Sequence, residues 1–147
     1  MKKLFFLSLA IVLSLTSTAQ LKGWNTSVGA TVNAPIAKNL NWDSKFWGQR
    51  VDFTKKNVNV SFGYMQNKAG NVQVPVLVGV GKGFGKKFNL GLRAGMTFFN
   101  GEKGQLTYVP SISYQVNSKW CVEQSVLRMI KDSKHTSQAG LAVRYHL

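Results

Sequence analysis

The side chains in this chain that could do chemistry are few and scattered. Arg50 and Asp52 stand two residues apart, while Arg93, Glu123 and Arg144 lie far from one another in sequence. His135 has Asp132, Ser133 and Ser137 close by. A base, a nucleophile and an orienting acid are what nucleophilic catalysis needs. Neighbours in one short loop seldom converge on a working geometry, however, so the segment reads as a solvated loop over 131–136. Neither His135 nor His146 has further ligands at metal-binding spacing. The run Gly79-Val80-Gly81-Lys82-Gly83-Phe84-Gly85-Lys86 looks like a phosphate loop only on the surface. A Walker A motif has Gly five residues before its Gly-Lys pair and Ser or Thr after it; here those positions hold Val80 and Lys87. It reads as a Gly-rich hairpin between two strands. Cys121, the single cysteine, excludes an intramolecular disulfide. It is expected as a small packed residue, since no set of acidic, His or Cys neighbours gathers around it. No catalytic residue, cofactor or metal is expected, and the chain reads as non-enzymatic.

The elements that must position the charged residues are clearer than the residues themselves. In Phe88-Asn89-Leu90-Gly91-Leu92-Arg93-Ala94-Gly95-Met96-Thr97-Phe98 the even positions are apolar and the odd ones small or polar. A period of two is that of a β-strand. Similar stretches occupy about 24–33, 45–53, 57–66, 72–81, 105–117, 120–130 and 137–147, eight in all with 88–98. The 45–53 stretch is the least regular, because Gln49 interrupts Trp47, Val51 and Phe53. Gln124 likewise breaks the row of Trp120, Val122, Val126 and Ile130, and Pro75 predicts a bulge. Short connections such as Asn67 to Asn71 and Asn117 to Lys119 suit antiparallel, up-and-down pairing. A ten-residue strand tilted by about 45° covers roughly 23 Å, the depth of a membrane-spanning apolar belt. The expected fold is therefore all-β: an eight-stranded antiparallel up-and-down transmembrane β-barrel.

In such a barrel the apolar row faces lipid and the Gly/Ser/Asn row faces the lumen. The luminal row carries Arg50, Asp52, Arg93, Glu123 and Arg144. Charges inside a barrel must pair or stay wet, so an ion-pair network is expected, with Glu123 between Arg93 and Arg144. It would act as a plug, or line a gated pore or ligand site. The outward aromatics Trp24, Tyr64, Phe88, Phe98, Trp120 and Tyr145 sit near strand ends, where an interfacial girdle belongs.

The N-terminus carries a different signal. Lys2 and Lys3 precede an apolar run from Leu4 to Leu15, and Ser17-Thr18-Ala19 supplies small residues for cleavage. This is the layout of a secretory signal peptide over 1–19, leaving 20–147 as one domain. The apolar run is shorter than the roughly 20 residues of a membrane-spanning helix. Export leaves three destinations: periplasm, medium or outer membrane. The formal charge of +14 comes largely from lysines in turns, Lys55-Lys56 and Lys86-Lys87 among them. There they would meet anionic headgroups and lipopolysaccharide phosphates, or keep the turns soluble. Export removes nucleic acid as a partner.

Taken together the strands resemble the small eight-stranded outer-membrane β-barrels of Gram-negative bacteria, the OmpA/OmpX-like type. The resemblance covers the whole of 20–147. Members of that group end in an aromatic residue preceded by alternating apolar residues; here Leu141, Val143 and Tyr145 alternate up to Leu147. The resemblance implies an assembly signal at these four residues, read by the barrel assembly machinery. It also implies residence in the outer membrane as a monomer, both termini in the periplasm, and loops near 34–44, 67–71, 100–104 and 131–136 facing out. The 34–44 loop, with Trp42, is the best contact candidate. Three functions follow: a non-enzymatic barrel with a side-chain-filled lumen in a structural or surface-interaction role, a narrow channel for small solutes, or a soluble lipocalin-like ligand-binding barrel.

Overall fold

A computed structural model describes residues 23–36, 44–101, 103–131 and 134–147. Its strands are β1 (Asn25–Pro35), β2 (Phe46–Lys55), β3 (Val58–Gln66), β4 (Val72–Phe84), β5 (Phe88–Phe99), β6 (Gln105–Gln115), β7 (Trp120–Lys131) and β8 (Lys134–His146). Each pairs with its sequence neighbours, and β1 pairs with β8 from Ser27↔His146 to Pro35↔Gln138, so the sheet is a closed barrel. Closure leaves no strand edge unpaired, which is the requirement lipid imposes on a sheet. The signal-peptide stretch and Trp42 lie outside the described residues.

One end of the barrel, the turn end, carries the tight connections after β2, β4 and β6. The other, the loop end, carries the connections after β1, β3, β5 and β7. The 45–53 stretch, irregular in sequence, is a continuous strand paired on both sides. The Gly-rich run is mostly strand: Gly81, Lys82, Gly83 and Phe84 pair with Gly91, Leu90, Asn89 and Phe88, and only residues 85–87 turn. The connection expected over 131–136 shrinks to residues 132–133, because His135 pairs with Ile130 inside the β7–β8 ladder.

No bulge forms at Pro75. The β3–β4 register is the same on either side of it, Phe62↔Val76 and Met65↔Gln73, with only the pairs between them missing. Toward β5 Pro75 pairs normally with Thr97. Pro110 behaves alike, opposite Leu92 on β5 and at a gap in the β6–β7 ladder. Each proline points its missing N–H at one neighbour and stays in register with the other.

Exposure is inverted relative to a water-soluble domain. On the outer face Val80 is 58% exposed, Leu141 56% and Leu92 53%, whereas inside Asp52, Thr97 and Thr107 are fully buried. The buried set is rich in polar and charged residues, and every strand exposes large apolar side chains on the outer face. Water would penalise that outer surface heavily and lipid would not. The lumen also holds a feature that the small-or-polar row does not announce. In its loop half Leu77, Val109, Leu127 and Met129 pack together with Phe99, and Phe46 meets Phe99 edge-on at 5.9 Å. An apolar cluster, flanked by the buried polar side chains of Gln73, Thr97 and Thr107, fills this half of the barrel.

Candidate functional site

The charged residues of the luminal row converge in the turn half. Arg50 and Asp52 share the inner face of β2 because they are two residues apart; Arg93 comes from β5, Glu123 from β7 and Arg144 from β8. Glu123 takes Arg50 Nη1 at 2.8 Å, Arg93 Nη2 at 2.5 Å and Arg144 Nη2 at 3.0 Å. Asp52 takes Arg50 Nε at 3.0 Å, Arg144 Nη1 at 3.4 Å and, more loosely, Arg93 Nη1 at 3.7 Å. Glu123 thus does lie between Arg93 and Arg144, and Arg50 and Asp52, expected in the same network, meet them there. Both carboxylates contact all three guanidiniums.

Glycines in register make room for these long side chains. Gly79 faces Arg93, and a Cβ there would lie 2.3 Å from the Leu92 carbonyl oxygen and 2.5 Å from Arg93 Cγ. Gly29 faces both Arg50 and Arg144, and its Cβ would meet Arg144 Cγ at 2.7 Å. The guanidiniums therefore lie across the lumen over glycine.

The cluster is suited to holding strands together and to closing the lumen. Three of the four carboxylate oxygens hold an arginine nitrogen within 3.4 Å, and Asp52 Oδ1 lies 3.7 Å from Arg93 Nη1. Cys121 is buried with its Sγ 3.4 Å from Arg144 Nη2. His135 is an exposed strand residue, Asp132 and Ser133 lie outside the described residues, and no His/Cys/Asp/Glu group among the described residues could hold a metal ion.

The outer face carries rings of aromatics. Trp24, Phe88, Trp120 and Tyr145 stand at the turn end, and Tyr64 and Phe98 at the loop end. Register explains how the turn-end residues meet: Phe88 pairs with Tyr114 and Trp120 with Tyr145, with ring centroids 5.1 and 5.0 Å apart. Lysine ammonium groups cap three of these rings, Lys55 over Trp24 at 5.9 Å, Lys87 over Tyr114 at 5.7 Å and Lys119 over Tyr145 at 5.8 Å. Tyr114 and the capping lysines are additions to the expected girdle. Each lysine caps an aromatic on or next to the neighbouring strand and not the residue beside it in sequence, so strand pairing, which the sequence does not show directly, creates these contacts. At the C-terminus Leu141, Val143, Tyr145 and Leu147 all belong to the outward row, and Leu147 N–H donates to the Thr26 carbonyl at 2.9 Å.

No protein-family model and no curated protein matches the chain. Solved structures do. The N-terminal β-barrel domain of Pseudomonas aeruginosa OprF aligns with a TM-score of 0.70 at 12% identity, over 84% of this chain and 97% of that one. The Yersinia pestis outer membrane protein Ail, in a phospholipid bilayer nanodisc, gives 0.61 at 12% identity, over 84% and 99%. A de novo designed transmembrane β-barrel gives 0.69 at 14% identity, over 87% and 98%. At these identities the likeness is one of fold, and in fold the chain is a closed eight-stranded antiparallel β-barrel like those of small outer-membrane proteins of the OmpA/OmpX type.

Proposed function

We propose that this protein is a non-enzymatic outer-membrane barrel with a lumen closed by its own side chains, serving a structural or surface-interaction role. The observation that carries the reading is the filling of the lumen by two successive layers. Apolar side chains around Met129 occupy the loop half, and the Arg50–Asp52–Arg93–Glu123–Arg144 cluster occupies the turn half. An ion entering from either end meets one of them. The lipocalin-like alternative needs an apolar cavity and a polar exterior, and this barrel has the opposite distribution.

In this reading residues 1–19 direct export and are removed, and the Leu141-to-Leu147 alternation is recognised by the barrel assembly machinery. Outer-membrane lipid covers the apolar row, and the lysines take headgroup or lipopolysaccharide phosphates. The barrel works as a monomer. Conductance of the purified barrel in planar lipid bilayers tests the closed lumen. The expected trace is flat at the level of the bare bilayer; steady, unitary ion steps would replace this reading with the narrow-channel one.

A further inference from the structure

Between the charged cluster and the turn end lies a cavity of about 70 Å³ whose lining includes Lys56, Asn59, Asn89, Ser111, Arg93 and Arg144, and no carboxylate. A single water needs roughly 10–15 Å³ of such space, so several waters or one polyatomic ion fit. The cluster forming its floor is electrically unbalanced. Three guanidiniums face two carboxylates, which leaves one positive charge in a buried layer, and Lys56 at the rim adds another.

Hydrogen bonding within the cluster is incomplete on both sides, with Arg50 Nη2 lacking an acceptor and Asp52 Oδ1 lacking a donor among the described residues. Arg93 and Arg144 spend their Nη groups on Asp52 and Glu123, and the Nε of each is buried without a protein acceptor among the described residues. Arg93 is 4% exposed, so its free donor cannot turn out to bulk solvent. A buried, uncompensated charge is costly, and an anion in the adjoining cavity offsets it. Asn59, Asn89 and Ser111 line the cavity with neutral polar groups beside that charge, a setting that suits an oxyanion. The geometry points to a binding site for a small oxyanion of the phosphate class in the luminal vestibule at the turn end.

Phosphate chemistry could also reach the molecule as a lipid headgroup, on the lysine-capped outer ring. The test therefore titrates inorganic phosphate into the folded barrel in zwitterionic nanodiscs at constant ionic strength, followed by phosphorus NMR and by the temperature of heat-induced unfolding. The site predicts saturable binding and an unfolding temperature that rises with phosphate but not with matching chloride. Ser111→Leu, which fills the cavity and leaves every charged residue of the cluster in place, abolishes saturation. Lys56→Gln weakens it by about two- to five-fold, as befits an exposed charge. Retained heat-modifiable migration of both variants shows that they fold. Absence of saturable binding overturns the site, as does binding unchanged in Ser111→Leu. Association with phosphatidylglycerol vesicles but not with free phosphate also overturns it, assigning the anion affinity to the outer lysines.

Discussion

Glu123 and Gln124 are adjacent, and the barrel gives them opposite surroundings. Glu123 is 2% exposed and held by three arginines, while Gln124 lies on the outer face between Ile112 and Leu141. Replacing Glu123 by Leu strands buried positive charge and should destabilise the barrel by about 3–5 kcal/mol. Gln124→Leu extends an apolar row and should stabilise it by roughly 1 kcal/mol in lipid. Urea unfolding of the reconstituted barrel measures both, and equal signs would contradict the assigned directions. A second pair of substitutions tests the glycine–arginine fit. Gly79→Ala drives a methyl into the Leu92 carbonyl and Arg93, and should cost about 1–3 kcal/mol. Gly83→Ala, whose Cβ would have nothing within 4 Å, should stay within about 0.5 kcal/mol of the parent. Parity alone put Arg50, Asp52, Arg93, Glu123 and Arg144 in one lumen, since a period of two needs no partner to be read. That Arg50 on β2 reaches Glu123 on β7 was not legible, because contacts across a barrel depend on closure and on the register of every strand between.

At the scale of the element, the outward alternation was strong enough to locate eight strands, and tertiary pairing moved their ends. β8 begins at Lys134 because the β7 ladder continues through Ile130↔His135, a partner-dependent event in a segment whose polar composition reads as loop. The same applies to Gly81–Phe84, where glycine content argued for a turn and pairing with β5 supplied the strand. The luminal apolar cluster was not legible because Leu77 and Val109 sit singly within polar rows on β4 and β6, and Leu127 and Met129 end a β7 row that begins with Cys121, Glu123 and Ser125. β8 carries the clearest element-level prediction. Its outward residues Leu141, Val143, Tyr145 and Leu147 end the strand, and Tyr145 packs on Trp120 beneath Lys119. Tyr145→Asp places a charge in this interfacial row and should reduce the yield of folded barrel in the membrane several-fold, read as the fraction of heat-modifiable protein. Tyr145→Phe keeps the ring and should restore the yield.

The whole molecule is an inside-out object: polar and ionic within, apolar without, closed on itself. Charge follows the same plan. Lys55, Lys56, Lys82, Lys86, Lys87 and Lys119 gather at or beside the turns, and the described acids Asp52 and Glu123 are both inside the barrel. Such a distribution has no stable arrangement in water, where the exposed belt of Val, Leu, Ile and aromatic side chains would drive association. It is self-consistent in a bilayer, with the belt in hydrocarbon and the lysine-capped rings at the headgroups. That environment is the central claim, and fractionation of expressing cells combined with gel migration of unheated against heated samples tests it most directly. A membrane-spanning barrel is recovered in the outer-membrane fraction, is extracted only with detergent, and migrates faster unheated and folded than after heating. Recovery in the soluble fraction without detergent would contradict it.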